Sequence, residues 1–131
     1  MDRSFQFPQP ERQYETFIVS LSDMTTALTT GTAKAQFYAP FPMKVFSVSV
    51  QVATAPTTSG ITVNIKNGGT GIFTVKPTID ATKFTSQTST TPPLIYAPFI
   101  ALNALLTFDI DAIGSGTAGA GLQVQMLCYR T

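Results

Sequence analysis

Residues 46–69 read FSVSVQVATAPTTSGITVNIKNGG, and this stretch decides the fold class. Apolar and polar residues alternate over residues 46–52 and again over residues 61–66, the pattern of strands with one packed face and one wet face. Residues 55–60 have the composition of a turn. Residues 67–69, Asn-Gly-Gly, predict a tight hairpin, because Asn and Gly accept the positive φ that such turns require. The stretch therefore predicts antiparallel strands joined by short connections.

The same alternation extends to both sides of this stretch. Within it, Phe46 is predicted to share the packed face with Val48, Val50 and Val52. A first strand is predicted from Thr16, and further strands follow at the spacing typical of a β-sandwich or a barrel. The 21 Thr and the scarcity of Glu suit pleated strands better than helices. We therefore predict an all-β fold, a single antiparallel β-sandwich of about eight strands, whose strands carry the alternating apolar residues Phe17, Val19, Leu21, Ala35, Phe37, Phe73, Val75, Leu106, Phe108, Ile110, Leu122, Val124, Met126 and Cys128.

The composition excludes several function classes. Charged residues make up 11% of the chain, and the 8 basic and 7 acidic residues leave a net charge of +1. This balance argues against nucleic acid and against a membrane surface as partners, because both attract strongly basic proteins. The chain has no His and one Cys, which excludes an intrachain disulfide, a Cys/His zinc site and the usual histidine base of nucleophilic catalysis. No cofactor and no catalytic residue are predicted.

The sequence carries no sign of membrane insertion or export. No run approaches the 18 apolar residues that a membrane-spanning helix needs. The first eight residues, MDRSFQFP, lack the apolar segment of a signal peptide. We therefore expect synthesis in a cytoplasm without an export step.

Residues 1–14 differ from the remainder and are predicted to form an extended N-terminal arm, followed by the sandwich domain at residues 15–131. Proline favours extended backbone, and three aromatic rings within fourteen residues suggest that the arm packs against something. It packs either on its own domain or on a neighbouring subunit, and the sequence leaves both alternatives open. The arm residues predicted to lie in a protein interface are Phe5, Phe7, Pro8, Pro10 and Tyr14.

Two nearly identical segments place aromatic residues beside prolines. Tyr-Ala-Pro-Phe occurs at residues 38–41 and again at residues 96–99. Aromatic rings at strand ends could stack on sugars or on a partner, and they could equally close one end of the core. The sequence favours the core role for the four rings and keeps them as candidate binding-loop residues: Tyr38, Phe41, Tyr96 and Phe99.

The remaining motifs are interpreted as structural. Residues 114–119 satisfy the dinucleotide pattern G-x-G-x-x-G, but a strand follows them where a helix is needed, so a simple loop is predicted. Asp109 and Asp111 project from one strand to the same face and are predicted to form an outward polar surface rather than half of a calcium site or an acid pair. Cys128 alternates in step with Met126, which predicts a buried, inert thiol.

Several stretches together resemble a widespread family of tailed-bacteriophage structural domains. The resemblance covers residues 18–130 and is compositional rather than catalytic. The stretches that carry it are LSD at 21–23, TALTTG at 26–31, FYAPF at 37–41, VSVQVATAPT at 48–57, ITVNIKNGG at 61–69, TIDA at 78–81 and FDIDAIGSGTAGAGLQV at 108–124.

The resemblance implies a jelly-roll-like sandwich, usually in homotrimers, that serves on virions as a head decoration (cement) protein or in a tail fibre. Because only about fourteen residues precede the first predicted strand, we favour a decoration protein that binds the major capsid protein and further copies of itself. The expected location is the virion, after assembly in the host cytoplasm. The alternative is a short tail-fibre or receptor-binding module that contacts a host surface glycan. A polysaccharide hydrolase would need converging carboxylates, which the sequence lacks.

Overall fold

The computed structural model describes residues 13–131, which form eleven strands and one 3₁₀ helix at Ser86–Thr88. The strands confirm the all-β prediction, although they number eleven where about eight were predicted. In chain order they are β1 (Tyr14–Ser20), β2 (Gly31–Tyr38), β3 (Met43–Gln51), β4 (Ile61–Asn67), β5 (Thr70–Gly71), β6 (Phe73–Val75), β7 (Thr78–Ile79), β8 (Leu94–Ile95), β9 (Phe99–Ile100), β10 (Leu105–Ala112) and β11 (Gln123–Arg130).

The long strands form two antiparallel sheets with the connectivity of a jelly roll. The first sheet has the order β1-β11-β3-β9, and the second has the order β2-β10-β4-β5 with β7 also paired to β4. The first strand thus pairs with the last, the second pairs with the last but one, and the chain crosses repeatedly between sheets. This arrangement is the double Greek key of jelly-roll sandwiches.

The core lies between the two sheets and is built from the alternating residues of the central strands. The β4 residues Ile61, Val63 and Ile65 are fully buried, and so is Phe108 of β10. At one edge of the sandwich Phe37 stacks on Phe108 with ring centroids 5.8 Å apart. The apolar residues of the predicted alternation therefore face the core, where burial of apolar surface provides the main favourable term in folding.

The predicted hairpin after β4 is confirmed, but the strand that returns from it is interrupted. Gly68 and Gly69 adopt φ values of 59° and 91°, the positive values that the turn requires. β5 pairs with the end of β4, β6 then leaves the sheet to pair with β8, and β7 returns to the start of β4. Pro77 has no N–H to donate, and it lies where a continuous strand would need one.

A bulge in β3 changes the facing of one predicted core residue. Opposite the consecutive β11 residues Leu127 and Cys128, β3 supplies Ser47 and Val45, so Phe46 is the extra residue. Phe46 was predicted to lie on the packed face, but its side chain is 60% exposed. The prediction is wrong because an inserted residue shifts the alternation, and the shift is invisible to a strict period of two.

The first strand begins at Tyr14, earlier than the predicted start at Thr16. Tyr14 pairs with Tyr129 of β11, so it is a strand residue rather than part of the arm. The carbonyl oxygen of Gln13 accepts a hydrogen bond from the Arg130 N–H at 3.1 Å, which extends the pairing by one residue. The other predicted arm residues, Phe5, Phe7, Pro8 and Pro10, lie outside the described residues.

Candidate functional site

Large apolar side chains lie at the surface of the sandwich in unusual number. Ten of those within residues 13–131 are between 52% and 65% exposed, in a chain with few charges to solvate its surface. Contiguous apolar groups on a surface mark sites of protein–protein contact more often than isolated ones do. The ten residues are Tyr14, Ile18, Met24, Tyr38, Phe46, Phe84, Leu94, Tyr96, Phe99 and Leu102.

Five residues on the outer face of the first sheet form a contiguous group that we call the aromatic patch: Tyr14, Lys44, Phe46, Phe99 and Tyr129. The Tyr14 ring meets Phe46 and Tyr129 edge to face, with centroids 6.0 and 5.7 Å apart. The Lys44 ammonium lies 5.2 Å from the Phe99 ring centroid and 5.9 Å from that of Tyr129. Ring edges and a cation thus hold the patch together across four strands.

A groove opens beside the aromatic patch, along the side of β3 that faces away from β11. It has a volume of about 430 Å³. It exists because β9 is short and pairs only with the first two residues of β3. Beyond β9, the segment 93–95 forms the opposite wall. The residues that line the groove are Lys44, Val45, Phe46, Ser47, Val48, Pro93, Leu94, Ile95 and Pro98.

The sequence missed this groove, although it identified one residue beside it. Phe99 was a predicted binding-loop aromatic, whereas Lys44, Phe46 and Leu94 were not singled out. The one signal in the sequence is Phe46, a large apolar residue that alternates in step with Val48 and Val50. That signal is ambiguous, because the same residue fits a packed position when no bulge is present.

The four rings of the repeated Tyr-Ala-Pro-Phe segments are not brought together into one cluster. Phe41 is half-buried, with its ring 6.1 Å from Phe17 and under the Arg130 guanidinium at 4.1 Å, so it closes one edge of the core. Tyr38, Tyr96 and Phe99 are each at least 60% exposed. The predicted role in closing the core therefore describes Phe41 and does not describe the other three.

Asp109 was predicted to form part of an outward polar surface, but it is buried. Its residue is 1% exposed, although it lies on the side of β10 opposite Phe108. One carboxylate oxygen accepts the Ala33 N–H at 2.8 Å, and the other lies 3.1 Å from the Lys66 ammonium. Asn64 of β4 lies directly opposite in the register and is also buried. The second sheet therefore carries a buried polar cluster on its outer face.

The other acidic residues of the described chain are engaged in local structure. Asp111 pairs with the Lys76 ammonium at 2.6 Å on the surface. Asp23 accepts the N–H groups of Thr25 and Thr26 at 3.0 and 2.7 Å, and these hydrogen bonds, chiefly those from Thr26, lower the pKa of its carboxyl. Residues 13–131 contain no group of three metal-ligating side chains, and no helix among them is long and apolar enough to cross a membrane.

The glycine-rich loop between β10 and β11 packs against the turn that precedes β4. The Thr57 N–H donates to the Thr117 carbonyl at 2.9 Å, and the Gly116 N–H donates to the Thr57 carbonyl at 3.1 Å. The Thr57 hydroxyl oxygen accepts from the Thr117 N–H as well. The loop N–H groups are thus used within the protein, and the predicted structural role of this segment agrees with the contacts.

Cys128 is fully buried on the inner face of β11, as its alternation predicts. Burial raises the pKa of its thiol to about 11, because the thiolate would lose its hydration. At pH 8 only about one thiol in a thousand would be ionised, and the thiolate is the form that attacks thiol reagents.

We expect the Cys128 thiol of the native protein to react with Ellman's reagent at pH 8 about 100-fold more slowly than in the urea-unfolded chain, because both access and ionisation are suppressed. The rate of thionitrobenzoate release measures this directly. A Gln125→Cys variant provides the control, since residue 125 is exposed on the same strand and should react quickly in the native state. Equal native rates at the two positions would contradict the burial of Cys128.

Comparison of the chain with protein-family models, with curated protein sequences and with solved structures found no match in any of the three.

Proposed function

We propose that the chain is a non-enzymatic structural protein of a bacteriophage virion, a capsid decoration protein that assembles as a homotrimer and binds the major capsid protein. The observation that carries this proposal is the surface of the sandwich, where ten large apolar side chains are more than half exposed. With 11% charged residues, such a surface favours a protein that functions within an assembly. The resemblance to phage structural domains supplies the class of assembly.

The proposed mechanism is burial of this apolar surface against neighbouring subunits. Each Å² of apolar surface removed from water contributes about 25 cal/mol, so a few exposed rings at each contact add several kcal/mol. A trimer would bind its capsid lattice through three equivalent contacts, and each further contact forms at high effective concentration. Decoration would then stabilise the head without any chemical reaction.

The side chains of the described residues support a binding role over a catalytic one. Asp109 and Asp111 are each paired with a lysine, at 3.1 and 2.6 Å. An acid–base pair in a hydrolase needs two carboxylates facing a common cleft, with at least one perturbed pKa. Cys128 lies in the core, away from any groove.

Deletion of residues 2–13 is expected to abolish attachment to capsids while the sandwich remains folded, because the aromatic residues of the arm would no longer link neighbouring subunits. Co-sedimentation of the purified protein with undecorated capsids measures attachment, and circular dichroism reports the fold. A full-length Gln6→Ala/Gln9→Ala variant is the matched control, since it alters the arm but retains its aromatic residues and prolines. Undiminished binding by the truncated chain would refute the role of the arm.

The number of copies per virion tests the function itself. Quantitative mass spectrometry of purified particles should find hundreds of copies if the protein decorates the head. A few copies, or a few tens located at the tail, would contradict decoration.

The exposure of Tyr38 and Tyr96, 63% and 60%, favours one second candidate, a tail module that binds a host glycan. Exposed tyrosine rings provide flat apolar faces of the kind on which sugars stack. If this candidate is correct, a Tyr38→Ala/Tyr96→Ala variant should lose binding to host cells and keep its assembly into virions. A decoration protein should show no such loss.

A further inference from the structure

Strand β3 has a stretch of open backbone edge that faces the groove. On the side away from β11, the Val45 N–H donates to the Pro98 carbonyl at 2.8 Å, and the Val50 N–H donates to the Ser86 hydroxyl at 2.9 Å. Alternate residues of a strand direct their N–H groups to the same side, so the Val48 N–H lies on the same side of β3 as that of Val50 and faces the groove, which Val48 lines. No residue between 13 and 131 accepts from it.

The walls of the groove suit an extended segment with apolar side chains. Leu94 is 57% exposed on one wall, and Phe46 is 60% exposed on the other. Pro93 and Ile95 add further apolar surface. An unpaired strand edge beside an apolar pocket is the geometry by which sheets bind extended peptides, with backbone hydrogen bonds for affinity and pockets for side-chain selection.

We propose that this groove binds the N-terminal segment, residues 1–12, of a second copy of the chain, with Phe5 and Phe7 in contact with Leu94. The proposal rests on the self-association contained in the proposed function. It adds which surfaces meet, and it assigns the arm of one subunit to the open edge of the next.

The sequence of the segment fits the groove. Phe5 and Phe7 are two residues apart, so both rings project to the same side of an extended backbone. Pro8 and Pro10 fix φ near −65° and also restrict the residues before them to extended conformations. A segment that is extended before binding loses less entropy when it binds. The open edge of β3 between Phe46 and Ser49 is about four residues long and matches such a segment.

The direction of the chain at Gln13 favours the groove of a neighbour over the groove of the same subunit. The Gln13 carbonyl is still bonded to the Arg130 N–H, so the backbone runs off the end of the sheet along β11. The groove of the same subunit lies beyond β11 and β3, about 14 Å away at roughly 4.8 Å per strand spacing. Reaching it would require one turn to cross the sheet and another to follow β3.

Disulfide cross-linking between differently labelled chains tests the proposal. When Phe5→Cys chains are mixed with Leu94→Cys chains, the yield of the mixed disulfide should be at least about tenfold higher than when they are mixed with Leu102→Cys chains. The reason is that docking raises the effective concentration of the two thiols. Leu102 is a matched control because it is 54% exposed and lies outside the groove. Buried Cys128 should not compete for the cross-link.

Two results would overturn the proposal. Equal yields for Leu94→Cys and Leu102→Cys would show that the segment does not reach the groove. A Phe5→Cys/Leu94→Cys chain that links only within itself, with no link between mixed chains, would show that the segment binds its own subunit. A protein that forms the expected cross-link but fails to bind capsids would support the groove assignment and contradict the decoration function. Failure of the groove proposal can therefore be distinguished from failure of the proposed function.

A measurement of self-association provides an independent test. Leu94→Arg places a charge in the groove and should weaken the trimer about thirtyfold in sedimentation equilibrium, the size expected for loss of an interface anchor. Leu102→Arg should leave the trimer unchanged. Equal behaviour of the two variants, or a chain that is monomeric at all concentrations, would overturn the proposal.

Discussion

Replacement of Asp109 by alanine is expected to lower the free energy of unfolding by about 3 kcal/mol. The substitution removes an almost fully buried carboxylate that accepts the Ala33 N–H and pairs with the partly exposed Lys66 ammonium. Ala33 adopts a φ of 51°, a conformation that a non-glycine residue holds only when its surroundings compensate. The carboxylate provides that compensation, so its loss affects both the ion pair and the local backbone.

Urea denaturation at neutral pH measures the effect, with Asp111→Ala as the matched control. Asp111 lies two residues away on the same strand and pairs with Lys76, but its carboxylate is 30% exposed, against 2% for that of Asp109. Exposed pairs contribute less than about 1 kcal/mol, so the control should shift the midpoint only slightly. Similar losses for the two variants would mean that burial does not distinguish the carboxylates, and this would contradict the structural role given to Asp109.

Asp109 and Asp111 also show how much of a residue's environment can be predicted from the alternation of apolar and polar residues alone. The period of two correctly places Phe108 and Ile110 in the core and Asp109 on the opposite face. It does not indicate what covers that opposite face. Burial of Asp109 depends on Lys66 and Ala33, which come from two other strands of the sheet. Contacts between residues that are distant in the sequence leave no mark in the local pattern.

The site was less predictable than the fold for a related reason. The groove depends on a short β9, on the bulge at Phe46 and on the position of the segment around Leu94, three features from separate parts of the chain. The sequence favoured a core role for the aromatic residues beside prolines and kept a binding role as the alternative, whereas Phe99 is one of three that are exposed. It missed Phe46 because strand bulges follow from tertiary packing rather than from residue preference.

Replacement of Gly114 by alanine is expected to destabilise the fold by about 3 kcal/mol, at the upper end of overpacking effects. A β-carbon at residue 114 would overlap the Thr117 carbonyl oxygen and would lie 2.9 Å from the Pro56 side chain. The Thr117 carbonyl is also the acceptor of the Thr57 N–H. Relief of the overlap must therefore move the loop, the turn that precedes β4, or both, and weaken the hydrogen bonds between them.

Gly68→Ala is the matched control, because it tests the cost of backbone conformation at a glycine where an added β-carbon meets no other atom. Gly68 has a φ of 59° and no atom within 4 Å of an added β-carbon, so its substitution should cost only about 1 kcal/mol, the penalty of the left-handed conformation. Thermal or urea unfolding of the two variants should rank Gly114→Ala well below Gly68→Ala in stability. If the two losses were equal, the glycines of the G-x-G-x-x-G segment would not be required by close packing. The expected ranking would mean that residue 114 must be glycine because the loop between β10 and β11 packs closely against the turn that precedes β4.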